Sequence, residues 1–477
     1  MLFNSLEFAV FLPIVFGLYW FAFDKSIRLQ NLLLLAASYF FYGWWDWRFL
    51  SLLAISSTID YFVGLRLGNE ENESNRKRLL WVSIFVNLGF LAVFKYYNFF
   101  AESFVQAFTF LGAKPNIATL KIVLPVGISF YTFQTLSYSI DIYRRQLEPC
   151  RDPVSFFAFV SFFPQLVAGP IERARNLLPQ FYRGREFEYA KAADGCRQML
   201  WGLFKKVTIA DKCAGAVDDV FANPAAHSGS TLLFGAILFA FQIYCDFSGY
   251  SDIAIGTSRL FGFDLMKNFN FPYFSRDIGE FWRRWHISLS TWFLDYLYIP
   301  LGGSRVEKLL QVRNVFAIFL VSGLWHGANW TFVVWGAIHA LYFLPSLLLG
   351  RNRRFLDTPA AGRLVPSFSE TAAILTTFLL TVLAWIFFRA ESLGHAIEYI
   401  SGILSMSLLT IPTVSSKSLI PLIGILLSVE WLQRERNHGL EIAHLNTATR
   451  WGTYLVFFSL IFFLGNFQKN AFIYFQF

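Results

Sequence analysis

Between Asn314 and Gly350 the chain runs for thirty-seven residues without one Asp, Glu, Lys or Arg, and at its centre reads Ser322-Gly323-Leu324-Trp325-His326-Gly327-Ala328-Asn329-Trp330. One helix of that length would extend about 55 Å at roughly 1.5 Å per residue, nearly twice the hydrocarbon thickness of a bilayer. The run must therefore break, and Gly323 and Gly327 mark the place. That break sets an ionisable imidazole, His326, at membrane depth, where a polar group is costly unless it faces a cavity or a partner. His326 is a functional candidate on that ground, with a packing role as its alternative.

The rest of the chain fits the same setting. Apolar residues make up 55% and charged residues 15%, with 57 Phe, 20 Tyr and 15 Trp, whereas soluble domains average about 45–50% and about 25%. Apolar segments recur throughout, so a single integral-membrane domain over 1–477 is expected. Its candidate spans are 5–23, 29–45, 48–66, 80–97, 122–142, 200–220, 233–255, two within 314–350, 371–388, 419–433 and 451–467. Met1-Leu2-Phe3-Asn4-Ser5-Leu6-Glu7 has no basic n-region, so the first span is expected to stay in the mature protein. The 4 cysteines, Cys150, Cys196, Cys213 and Cys245, show neither disulfide-framework nor metal-site spacing.

Lys and Arg cluster at Lys25/Arg28, Arg66 to Arg78, Arg144 to Arg151, Arg173 to Arg185, Arg259 to Arg284, Arg351 to Arg363 and Arg434 to Arg436. If the N-terminus lies outside, all of these loops fall on the cytoplasmic side, while Asn223 to Ser230 and the C-terminus fall outside. The net charge of +8 is then topological and offers no case for nucleic acid.

Two stretches fit simple spans poorly. Residues 153–185 carry internal prolines and basic ends, and read as re-entrant or interfacial. In 276–300, Phe281, Trp285, Trp292 and Tyr296 recur at helical spacing while Arg283, Arg284 and His286 occupy other faces, the pattern of an amphipathic interfacial helix. No G-x-S-x-G elbow, Walker A lysine or H-E-x-x-H occurs. The remaining chemistry lies in His326, His286, Asn329, His339, Asp246, Asp252 and Asp295. A neutral imidazole can take a proton from a hydroxyl and return it to a leaving thiolate, as acyl transfer requires. For His339 a structural hydrogen bond is the competing role, and for His286 a merely interfacial one. His227, His395, His438 and His444 fall in polar loops or at helix ends and are expected to be solvated. On these residues alone, an enzyme and a transporter both remain open.

Three motifs occur in order: Asp246-Phe247-Ser248-Gly249-Tyr250-Ser251-Asp252, Phe281-Trp282-Arg283-Arg284-Trp285-His286-Ile287-Ser288-Leu289-Ser290 and Gly323-Leu324-Trp325-His326-Gly327-Ala328. With Met1-Leu2-Phe3-Asn4-Ser5 and the run from Pro164-Gln165-Leu166 to Gly169-Pro170-Ile171, they resemble the bacterial membrane-bound O-acyltransferases, above all the alginate O-acetyltransferase membrane subunits. The resemblance implies an all-α polytopic protein, a ring of about 11–13 transmembrane or re-entrant helices around a central funnel. It implies that His326 is the family's essential histidine and His286 the second motif position. It also implies no tightly bound cofactor and no metal. The donor would be acetyl-CoA or another acyl thioester, the partner a periplasmic SGNH-hydrolase-like acetyltransferase, and the acceptor a polysaccharide, all at a bacterial inner membrane. Peptidoglycan O-acetylation and D-alanyl transfer by the same core are its variants, and a polysaccharide or lipid translocator is the reading from another class.

Phe472-Ile473-Tyr474-Phe475-Gln476-Phe477 fits F-x-Y-x-x-F, similar to the end of a small partner peptide in the related D-alanylation system. By that resemblance Tyr474 would be an acyl-accepting nucleophile, against the alternative of an interfacial aromatic anchor. Arg283, Arg284 and Trp285 are candidates to hold the donor, the arginines through CoA phosphates or, alternatively, on lipid headgroups. Single cysteines placed in 70–75 and in 223–230 of a cysteine-free variant should label from opposite sides with an impermeant maleimide. Labelling of both from outside would overturn the orientation.

Overall fold

The computed structural model describes residues 1–112, 117–120, 123–167, 169–413, 418–467 and 472–473, and among them it contains helices and no strand. Among the described residues, seven helices are long and apolar enough to cross a membrane: Trp47–Asn69, Glu73–Phe110, Gly229–Leu260, Lys308–His326, Trp330–Leu348, Phe368–Arg389 and Thr447–Leu464. Starts are set by local chemistry. Asn72, Asp152, Asn329 and Asn446 cap free backbone N–H groups, and Ser367 with Glu370 forms a reciprocal capping box.

Helices fall into two compact units, residues 1–192 with 258–265, and residues 193–257 with 266–477. In the first, Ile128–Tyr143 is buried almost along its length, although it carries Ser129, Thr132, Gln134, Thr135, Ser137, Ser139 and Asp141. Several of those groups find partners indoors, Gln134 Nε2 donating to Phe159 O at 2.9 Å and Thr135 Oγ1 to Asn87 Oδ1 at 3.1 Å. Asp60 accepts from Ser83, from Ser139 Oγ at 2.9 Å and from Asn87 Nδ2 at 2.8 Å, which ties three helices together. The proline-bearing stretch expected to be re-entrant forms helix Pro153–Ser161, a kink at Phe162 and a further turn to Leu166. Its helical length of about 21 Å is too short for a crossing.

In the second unit the charge-free run breaks where expected. Helix Lys308–His326 ends on the histidine, Gly327 is extended, and Asn329 restarts the chain by accepting from Thr331 N at 3.0 Å. The two helices then pack closely. A Cβ on Gly323 would come within 2.2 Å of the Phe332 carbonyl oxygen, and one on Gly336 within 2.2 Å of that of Phe319. Small residues at a helix crossing allow this approach, which in lipid stands in for a hydrophobic driving force.

The expected single helix over 276–300 is instead two short ones, Ile278–Arg284 and Ile287–Phe293, followed by a π-helical turn, Leu294–Tyr298. His286 separates them in a left-handed conformation, φ 43° and ψ 53°. Phe281, Trp285 and His286 are all buried, so the segment is part of the protein interior. Helical spacing of the aromatics survives across a break because each short helix presents its own aromatic to the same core.

Gly323→Ala and Gly336→Ala should each lower the melting temperature in detergent, overpacking of this kind costing roughly 1–3 kcal/mol. Gly89→Ala, at a site with nothing within 4 Å of the added carbon, should not. Equal melting temperatures for all three would show that the crossing is looser than described.

Candidate functional site

The sequence separates His286 from His326 by forty positions, and the fold brings their ring centroids to 6.3 Å. His326 is 3% exposed and sits against Trp325, Trp335 and Phe388, with centroids at 5.0, 5.1 and 5.4 Å. His286 is fully buried, edge-on to Phe247 at 4.6 Å and 5.8 Å from Trp325. Both imidazoles thus face one another inside an aromatic chamber.

The left-handed turn at His286 has visible causes. Trp285 is locked among Phe269, Phe281 and Trp385 at 5.0, 5.5 and 5.0 Å. On the other side, Asn270 N donates to Arg284 O and Ile287 N to Asn268 O, each at 2.9 Å. The chain is pinned before and after residue 286, so that residue absorbs the bend, at a cost of order 1–3 kcal/mol for a non-glycine.

Asn268 then fixes the ring. Its Oδ1 accepts from Ser288 Oγ at 2.8 Å and lies 3.2 Å from His286 Nδ1. Its Nδ2 donates to Ser251 Oγ at 3.1 Å. A carbonyl oxygen can only accept, so Nδ1 carries the proton and Nε2 presents its lone pair. Nε2 has no hydrogen-bond partner among the described residues. Burial pushes the imidazolium form of His286 down to about 3 from an ordinary value near 6.5, so the ring is a neutral base. Asn268, Ser288 and Ser251 went unremarked in the sequence, where an Asn within an aromatic-rich stretch gives no periodic or motif signal.

Other candidates divide cleanly. His339 is fully buried and accepts from the Trp282 indole at 3.2 Å, a structural role. Asn329 is a helix cap. Asp295 lies on the separate π-helical turn. Asp252 and Asp246 pair with consecutive buried lysines, Lys205 at 2.6 Å and Lys206 at 2.6 Å. His438, expected in solvent, is 2% exposed and lies 3.3 Å from Asp194. Its polar sequence neighbours concealed that the loop folds inward.

Arg283 donates to the carbonyls of Asn352 and Phe355 at 2.8 and 2.7 Å, which uses two of a guanidinium's five donors. Arg284 is spent on Glu280, Asn270 O and Asp357 O. Trp285 is enclosed. Tyr474 lies outside the described residues.

The fold thus brings two buried imidazoles together beside a helix break in a membrane-spanning helical protein. The family model of MBOAT, the membrane-bound O-acyltransferases, matches residues 77–388, and the chain belongs to that family. It is 44% identical to a probable alginate O-acetylase AlgI of Pseudomonas aeruginosa over 398 residues, 83% of this chain and 73% of the relative. It is 36% identical to a peptidoglycan O-acetyltransferase of Helicobacter pylori, covering 85% and 80%. A teichoic acid D-alanyltransferase of Bacillus subtilis aligns at 28% over 229 residues, covering 45% and 57%. The protein is therefore a multi-pass membrane acyltransferase.

Asn268→Ala should leave the fold intact and lower acyl transfer by at least about tenfold, a part of the roughly 10²–10⁴-fold that general base catalysis supplies. Asn268→Asp should act differently. A carboxylate beside Nδ1 raises the His286 pKa, and activity that needs the neutral ring is lost below that value. The acid limb of the rate profile should then move to higher pH. Unchanged rates and profiles in both variants would remove His286 from the chemistry.

Proposed function

We propose that this acyltransferase takes acetyl from a cytoplasmic thioester, acetyl-CoA, and delivers it across a bacterial inner membrane for O-acetylation of an extracytoplasmic polysaccharide. The observation that carries the reading is the His286–His326 pair, buried together with centroids 6.3 Å apart. Support for acetyl as the group comes from the printed activities of the O-acetylase and O-acetyltransferase relatives at 44% and 36% identity. A polymer such as alginate is favoured as acceptor because that relative is the more similar of the two. Both ends of the chain lie on the periplasmic side in this reading, and the final acceptor is reached through an SGNH-hydrolase-like partner.

In the proposed step His326 takes the proton of the Tyr474 phenol while its oxygen attacks the thioester carbonyl. Unaided, a phenol with pKa near 10 is a poor nucleophile at neutral pH. The carbon–oxygen bond forms, the carbon–sulfur bond breaks, and the proton on His326 passes to the departing thiolate. His286, neutral and held by Asn268, offers Nε2 to steer the hydroxyl. Arg283 is proposed to meet the donor's phosphates, as bidentate guanidinium contacts do, and its three N–H donors beyond those given to carbonyls support that reading.

Purified protein in nanodiscs with radiolabelled acetyl-CoA tests the reading. Wild type should release CoA and retain label after denaturation. His326→Ala should lose both by about 10² or more, and Tyr474→Phe should lose the retained label. No CoA release from wild type would exclude acetyl-CoA as donor, and label persisting in Tyr474→Phe would exclude that tyrosine as acceptor.

A further inference from the structure

We infer that Trp335 and Trp385 form the electrophilic side of the site, donating their indole N–H groups to the carbonyl oxygen of the acyl group as it becomes an oxyanion. This rests on the reading that transfer takes place at the His286–His326 pair, and not on the identity of donor or acceptor.

A buried indole N–H is costly to leave without an acceptor, and tryptophan in a protein interior usually finds one. Elsewhere in this chain it does. Trp20 donates to Leu260 O at 2.8 Å, Trp431 to Leu364 O at 2.7 Å and Trp282 to His339 Nδ1 at 3.2 Å. Trp335 and Trp385 depart from that pattern. They are 0% and 1% exposed, and neither Nε1 has a hydrogen-bond partner among the described residues. The two bare donors also stand together, their rings stacked at 5.7 Å with an interplanar angle of 20°. Surrounding lipid supplies no acceptor to either.

Their place adjoins both histidines. Trp335 stands edge-on to His326 at 5.1 Å, and Trp385 lies 5.0 Å from Trp285, the residue before His286. Phe388 completes the group, 5.4 Å from His326, 5.3 Å from Trp335 and 5.1 Å from Trp385. The indoles come from different helices, Trp330–Leu348 and Phe368–Arg389. One turn beyond Trp335 on its own helix, His339 packs against it at 4.9 Å. Rings enclosed in this way keep one orientation, so their donors are preorganised. Backbone groups at the break are engaged elsewhere: Gly327 N donates to Gly323 O at 3.3 Å and Thr331 N to Asn329 Oδ1 at 3.0 Å.

The indoles supply what imidazoles in the base form do not. A base accepts the proton of the attacking hydroxyl, but the same attack puts negative charge on the carbonyl oxygen, and that charge needs donors. As the hydroxyl oxygen bonds to the carbonyl carbon, its proton passes to His326 and the carbonyl π electrons move onto oxygen. When the carbonyl re-forms, the carbon–sulfur bond breaks and the thiolate takes the proton from His326. Both indoles donate throughout and keep their own protons. In a dry interior such donors act more strongly than in water.

The experiment replaces each indole, in the full chain, by benzothienylalanine, which keeps the bicyclic shape and sets sulfur where the N–H was. Rates with acetyl-CoA, or with whichever acyl thioester the wild type turns over, give kcat and KM. At Trp335 kcat should fall by about 10²–10³-fold and at Trp385 by about tenfold or more. KM should change less than about threefold, and the melting temperature in detergent should hold. The same replacement at Trp20 removes its bond to Leu260 O and should leave kcat unchanged. In a His326→Ala background, the carbonyl stretch of a bound, isotope-labelled thioester should rise when either indole N–H is removed, because a hydrogen bond to a carbonyl lowers its frequency. Retention of kcat within about threefold at both positions, with an unmoved carbonyl stretch, overturns the inference. An equal loss at Trp20 overturns it too, since the effect would then belong to any lost indole bond. Undiminished transfer in His326→Ala overturns instead the reading of the histidine pair on which the inference rests.

Discussion

Lipid offers no hydrogen-bond partner, so every polar side chain this protein turns inward must be satisfied by another part of the protein. The interior follows from that constraint. Asp60 collects Ser83, Asn87 and Ser139 in one unit. In the other, Lys205 and Lys206 face Asp252, Asp246 and Asp211, and Tyr244 donates to Glu430 at 2.7 Å. Apart from Lys206–Asp211, which lies along one continuous helical stretch, these contacts join helices that apolar packing alone would leave free to slide, because side chains facing lipid gain little by facing each other instead.

The site follows from the same rule, applied incompletely. His286 Nδ1 is satisfied by Asn268, and that fixes the tautomer, yet Nε2 is left facing a chamber walled by Trp325 and Phe247. A polar atom kept in such a place is costly unless some group comes to it, which is the ground of the role proposed for it above. The arginines beside it serve architecture first. Arg276 and Arg284 share Glu280, and both reach Asp357. They thereby fasten the loop before helix Phe368–Arg389, which carries Phe388 to His326.

Hydropathy made most of the helices legible because a membrane-spanning segment must be apolar along its length, and that requirement is local. The break near His326 was legible for a related reason, since thirty-seven uncharged residues cannot be one crossing. Helix Ile128–Tyr143 shows where the rule weakens. Gln134, Thr135 and Ser139 on it meet partners distant in sequence, and nothing within it tells a buried polar helix from an ordinary span. The break at His286 escaped notice because two short helices on one core preserve the spacing of a single helix. Asn268 escaped because its importance is a contact with a residue eighteen positions away.

The sequence by itself determined that the chain is helical, polytopic and organised around a histidine at an interrupted span, and its motifs determined the family. Composition and spacing along the chain carry such facts, since they arise from segment against solvent. Tertiary structure alone decided that His286 and His326 face each other, that Asn268 sets which nitrogen is bare, that Arg284 is an internal brace and that Asp246 holds Ile473. These are pairings across long stretches of chain, and hydrogen-bond geometry, unlike hydropathy, exists only once two partners have been brought within about 3 Å of each other.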